Sequence, residues 1–163
     1  MIWNPFLSKK VNRSEPLYAA IVAAARQAFF YRDWNVADTV EGRFEMVILH
    51  LALVVMRLKG EENALRQALV DRFCLDMDDN LRELGVSDIG VAKKVRSMAE
   101  AFQGRYVAYE AADNIAQMSQ AITRNVYAGK PSTVELAVYA LRAKAVLGDT
   151  NTNELIAGRP VFQ

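Results

Sequence analysis

Four carboxylates crowd one stretch of this chain, Asp76, Asp78, Asp79 and Glu83, and grouped carboxylates can bind divalent cations or move protons. Their spacing fits neither template that would make them a reaction centre. An EF-hand loop counted from Asp76 needs glycine at 81 and glutamate at 87, where Leu81 and Ser87 stand. An aspartate-rich diphosphate site on a helix needs a third acid where Arg82 stands. On a helix, Asp79 with Arg82 or Glu83 reads as a solvated face whose charges pair with one another. A helical isoprenoid- or diphosphate-binding protein using Asp76, Asp78 and Asp79 with a divalent cation remains the enzymatic alternative.

The other reactive residue types are sparse. Cys74 is the one cysteine and lies on the apolar side of its segment, with no pattern nearby that supplies an activating base. His50 is the one histidine, set inside the apolar run MVILHLALVVM, where it reads as a hydrogen-bonded core residue. Together they leave a His/Cys metal site short of ligands and exclude a disulfide framework. No glycine-rich phosphate loop is present, since most of the 8 glycines fall at expected helix ends. The residues predict no catalytic group, no metal and no cofactor.

The elements that must position these residues are helices. A chain of 163 residues with 52% hydrophobic and 24% charged residues suits one domain with an ordinary core. Its 20 basic and 19 acidic residues give no electrostatic footprint for nucleic acid. The longest apolar run, Met46 to Met56, falls short of the ~20 residues a membrane-spanning helix needs. The N-terminus places Trp3 and Phe6 ahead of Lys9 and Lys10, the reverse of a signal peptide. This order predicts an unexported, cytoplasmic chain. Residues 1–13 form an arm that either folds onto the domain or inserts Trp3 and Phe6 into a lipid interface beside Lys9 and Lys10. The folded domain is expected over residues 14–163.

Ser14, Glu15 and Pro16 predict a helix start, continuing to Phe30 or Tyr31. Asp38 or Thr39 caps a second helix to about Lys59, apolar on nearly every side and hence central. A third runs from Glu61 and Glu62 to Leu84, closed by Gly85 in the left-handed conformation with Val86 covering the last turn. Ser87 or Asp88 caps the fourth. Asp113 opens a fifth, and Ser132 with Glu135 makes a capping box for a sixth that Gly148 ends. One more turn follows from Thr152. The expectation is an all-α, single-domain bundle of six or seven helices around a central apolar one.

The fourth helix has faces of different kinds. At 100° per residue, Val91, Val95, Met98, Phe102, Tyr106 and Tyr109 share one side, with Arg96 and Glu100 opposite. A band of small residues, Ser97, Ala101, Gly104 and Ala108, runs between, with Lys93, Lys94 and Arg105 along its borders. Small residues let another helix approach closely, and Gly104 sacrifices about 1 kcal/mol of helix propensity relative to alanine. Either an intramolecular neighbour or a partner with an apolar segment fits such a band.

The segments LYAAIVAAARQ, DTVEGRFEMVILHLALVVMRL, DMDDNLRELGVSDIGVAKKVRSMAEAFQGRYVAY and RNVY resemble the ubiquinol-cytochrome c chaperone family over roughly Leu17 to Leu147. The resemblance implies an α-helical, cofactor-free, non-enzymatic assembly factor that binds newly made cytochrome b for respiratory complex III. The mitochondrial member acts with a small partner protein near the ribosomal exit. The positions that match the family pattern are Asp76, Asp78, Arg82, Gly85, Asp88, Lys93, Lys94, Gly104, Arg105 and Tyr109, carried over as a recognition region. Trp3, Phe6, Lys9 and Lys10 fall outside it, so peripheral contact with the inner face of the cytoplasmic membrane rests on their own chemistry. A generic interaction module with another client is the third reading.

Overall fold

Thr39 begins the helix on which the fold is built, its hydroxyl accepting from the Gly42 N–H at 3.1 Å. The computed structural model describes residues 5–160 and residue 162, with the backbone alone for residues 5–13. In chain order the helices are α1 (Pro5–Ala25), α2 (Ala28–Arg32), α3 (Val40–Arg57), α4 (Asn63–Glu83), α5 (Asp88–Ala111), α6 (Ile115–Asn125), α7 (Glu135–Asp149) and α8 (Thr152–Ile156). Six of these are eleven residues or longer, and no strand occurs among the described residues. The expected all-α, single-domain bundle is what forms.

α3 is its axis, because every residue from Met46 to Val55 is buried. α1, α5 and α7 pack against it, α4 lies across α1 and α5, and α6 joins α5 to α7. Gly42 allows the preceding loop to close on α3, since a Cβ there would stand 1.9 Å from the Ala37 carbonyl oxygen. The carbonyls orphaned at helix ends are met by cations. Lys144 donates to the Glu110 and Ala112 carbonyls at 3.0 and 3.1 Å, closing α5. Arg57 donates to the Leu147 and Thr150 carbonyls, both at 2.9 Å, fastening the end of α7 to α3.

The expected boundaries differ at both ends of the first helix and at both ends of the last long one. The first helix does not start at Ser14: α1 already runs from Pro5, with Pro16 inside it. Ser14 is buried, and its hydroxyl donates to the Ala68 carbonyl on α4 at 3.4 Å, so it serves a helix contact in place of a cap. The same helix ends at Ala25, and an extended Gln27 separates it from α2. That break turns Phe30 into the core against Trp34, His50 and Tyr139. The capping box is absent, because Ser132 bonds Thr123 and Val134 is the residue at the N-cap of α7; at the other end α7 continues through Gly148 to Asp149. Trp3 lies outside the described residues, as do the side chains of Phe6, Lys9 and Lys10.

Two polar groups of α3 are buried with partners. His50 has its Nδ1 2.7 Å from the Met46 carbonyl, which can only accept, so Nδ1 carries the proton and Nε2 accepts from the Tyr139 hydroxyl at 2.8 Å. Burial lowers its pKa from 6.5 to about 4, against the smaller raising effect of the Met46 carbonyl. Glu45 accepts two bonds from Arg105 on α5, at 2.7 and 2.6 Å.

Both groups make testable claims about stability. The folded chain takes up the His50 proton only near pH 4, whereas an ordinary histidine takes it near 6.5, so the contribution is complete above 6.5 and lost as the pH falls through that window. Over the window this is worth about 3 kcal/mol. Urea midpoints measured from pH 7.5 to 4 should fall less steeply in His50→Gln than in the wild type; parallel slopes would refute the buried neutral imidazole. Arg105→Met should cost on the order of 2–3 kcal/mol, reduced from the fully buried case because Arg105 keeps 23% of its side chain exposed. Adding Glu45→Gln should recover most of that loss, whereas a loss within about 0.5 kcal/mol in the single variant would mark the pair as a surface contact.

Candidate functional site

The corner between α4 and α5 is made by local chemistry. Leu84 ends α4, Gly85 follows at φ +79°, and its N–H donates to the Arg82 carbonyl at 2.9 Å while Val86 N–H reaches the Leu81 carbonyl at 3.1 Å. Those two bonds form a Schellman motif, whose left-handed residue glycine supplies without a Cβ penalty. Ser87 then caps α5, accepting from the Gly90 N–H at 3.4 Å. Arg82 bridges the corner: it donates to Asp78 at 2.6 Å on its own helix and to Asp88 on the next. With two carboxylates beside it, Arg82 is held even more firmly protonated than an ordinary guanidinium, mainly by the Asp78 bond.

The acidic cluster does not converge on a common point. Asp76 faces α1, accepting from the Tyr18 hydroxyl at 2.9 Å with Arg72 at 3.9 Å. Asp78 faces Arg82, and Asp79 is exposed. Among the described residues no group of three histidine, cysteine or acidic side chains is placed to hold a metal ion. Asp76 thus fastens α4 to α1 and Asp78 pairs within α4, and among the described residues the diphosphate alternative has no geometry to favour it. Burial of Tyr18, with the Asp76 charge second, pushes its hydroxyl pKa far up, so it stays a proton donor to Asp76. Cys74 is half-buried, and burial raises its pKa, the direction of an inert thiol.

The remaining predicted residues divide between the two sides of α5. Val91, Phe102, Tyr106 and Tyr109 are buried, with Val95 and Met98 partly so. Tyr109 is fully enclosed within electrostatic reach of Glu45 and Arg105. Arg105 turns inward to Glu45 and also donates to the Ala101 carbonyl at 3.3 Å. Lys93 and Lys94 are exposed and make no ion pair or hydrogen bond with a described residue. Gly104 lies on the open side: a Cβ built there meets no heavy atom within 4 Å. Among the described residues no neighbouring helix covers that part of the band. Ile89 and Val107 are exposed on the same outer side, at 86% and 53%.

The structure thus brings together Asp78, Arg82, Gly85 and Asp88 at one corner and leaves Lys93, Lys94 and Gly104 on a continuous outward face. Asp76, Arg105 and Tyr109 point elsewhere. Glu45 was missed by reading the sequence, although an acid in the apolar register of α3 signals a buried partner cation. Tyr139 was missed too, because its role depends on His50, 89 residues away. Among the described residues no helix is long and apolar enough to cross a membrane.

The solved structure of the Cbp3 homolog from Brucella abortus matches with a TM-score of 0.81 at 39% identity, over 93% of this chain and 89% of that one. The ubiquinol-cytochrome c reductase complex assembly factor 1 of Drosophila melanogaster is 26% identical over 105 residues. That match takes in 60% of this chain and 40% of the fly protein, so the chain spans well under half of that relative's length. The pattern described as ubiquinol-cytochrome C chaperone matches residues 32–162, which include the whole of α3 to α8 and both sides of the α4–α5 corner. With most of its length matched in this way, the chain belongs to the ubiquinol-cytochrome C chaperone family.

Proposed function

We propose that this protein is a non-catalytic assembly chaperone for the ubiquinol-cytochrome c reductase, and that it holds an apolar segment of newly made cytochrome b against the outer face of α5. Family membership supports the class of function. The observation that carries the location is the uncovered Gly104, which lies in a long helix where folding gives no reason for glycine. Alanine would suit the helix better and would meet no steric obstacle. A client helix needing close approach explains the exchange. Lys93 and Lys94, exposed about three turns before Gly104 toward the N-terminus of α5, meet the polar flank of the client and steer its arrival. The Asp78–Arg82–Asp88 bridge spans the α4–α5 corner beside that face.

Work with a membrane-embedded client places the protein at the inner face of the cytoplasmic membrane. Trp3, Phe6, Lys9 and Lys10 are the residues we assign to peripheral contact there, by their interfacial chemistry. Arg105 acts in this scheme through Glu45, as support for α5 and not as a contact to the client.

Stability and client binding should respond in opposite directions at one position. Gly104→Ala should raise stability by about 1 kcal/mol, and Gly104→Trp should leave the helix content intact while co-purification of cytochrome b collapses. Lys93→Glu with Lys94→Glu should likewise remain folded and lose most of the captured cytochrome b. Undiminished capture by folded Gly104→Trp and by the double lysine variant would exclude this face.

A further inference from the structure

A groove of about 380 Å³ opens between α2 and α7, away from the α5 face and independent of the client assigned to it. Phe29, Trp34 and Tyr139 form its aromatic side, and Val134 and Val138 continue it along α7. The aromatic side is held in place from behind. Phe29 meets Trp34 edge-on at 4.9 Å, and Trp34 meets Tyr139 at 6.0 Å. The Tyr139 hydroxyl is committed to buried His50, and the Trp34 carbonyl accepts from the Tyr127 hydroxyl at 2.7 Å. A surface fixed in this way loses little conformational freedom when it is covered.

Two charges line the same groove. Glu135, Val138, Tyr139 and Arg142 recur at helical spacing, so they share one stripe of α7. Glu135 and Arg142 are exposed, and neither makes an ion pair or hydrogen bond with a described residue. They are two turns apart, about 10 Å along the axis, near the screening length of physiological salt, and so do little to neutralise each other. Val134 adds an apolar edge that is 51% exposed. Tryptophan, tyrosine and arginine around an apolar depression are the composition of an interface centre.

The geometry points to a partner polypeptide helix as the occupant, with its apolar stripe in the groove, a cation opposite Glu135 and an anion opposite Arg142. Equal and opposite flanking charges give no net attraction to an anionic lipid surface, whereas they specify the register of a helix that carries both signs two turns apart. A second copy of the chain would set groove against groove, leaving two concave faces unfilled. An amphipathic helix, whose own apolar anchors recur at i, i+3, i+4 and i+7, presents the kind of stripe that such a groove accepts.

The test uses the full chain carrying Trp3→Phe, so that fluorescence reports Trp34, and a synthetic amphipathic peptide with a leucine stripe bordered by one lysine and one glutamate seven residues apart. Saturable binding is expected, weakened about tenfold by Val134→Asp or Glu135→Lys, both of which sit on an exposed first turn and preserve the circular dichroism spectrum. A peptide with its lysine changed to glutamate should restore affinity to the Glu135→Lys protein. An unchanged Trp34 signal, or affinity indifferent to both substitutions and to the peptide charge, overturns the assignment. Sedimentation of the protein alone provides the remaining outcome: self-association that Val134→Asp abolishes would give the groove to a second copy and also overturn it.

Discussion

Complete burial of α3 is the constraint from which the rest of the architecture follows. Met46 to Val55 has no side that water reaches, so protein must cover it all round. α1, α5 and α7 supply that cover. A helix wrapped in this way cannot leave a polar group unanswered, because a buried donor or acceptor without a partner costs its full desolvation. His50 and Glu45 are the polar side chains that α3 carries inward, and each is met from another helix, by Tyr139 on α7 and by Arg105 on α5. Both pairings also select one register for the helices that make them.

The same logic separates supporting residues from surfaces available for binding. Arg57, Lys144, Arg82 and Arg105 are basic residues with assigned work inside the fold, closing helix ends or joining helices. Lys93, Lys94, Glu135 and Arg142 have no such work among the described residues. An exposed glycine in the middle of a long helix is likewise unexplained by stability. Folding uses the first group; the client face and the α2–α7 groove that we propose for recognition draw on residues of the second, which the fold leaves unused.

Much of this was legible in the order of residues. Apolar periodicity placed α3, α4 and α5, and short-range chemistry placed the turn at Gly85 and narrowed the cap of α3 to Asp38 or Thr39, of which Thr39 serves, since those interactions involve atoms a few residues apart. Ser14 and Ser132 misled for the same reason: each has the residue type of a cap, but a long-range or neighbouring hydroxyl contact claimed it. The break at Gln27 carried no proline or glycine to announce it. It follows from the aromatic cluster around Phe30, whose other members lie on different elements.

By itself the sequence determined an all-helical chain, its most buried helix, a carboxylate cluster with the wrong spacing for a metal loop, and a family likeness centred on α3 to α5. Each of these depends on local periodicity or on residue identity at fixed separations. Tertiary structure alone decided that Arg105 belongs to Glu45, that Asp76 belongs to Tyr18, and that the band at Gly104 is open. Pairing between residues some 60 positions apart is set by how helices cross, and whether a face is covered depends on which helix packs over it; neither is encoded in any window of neighbouring residues.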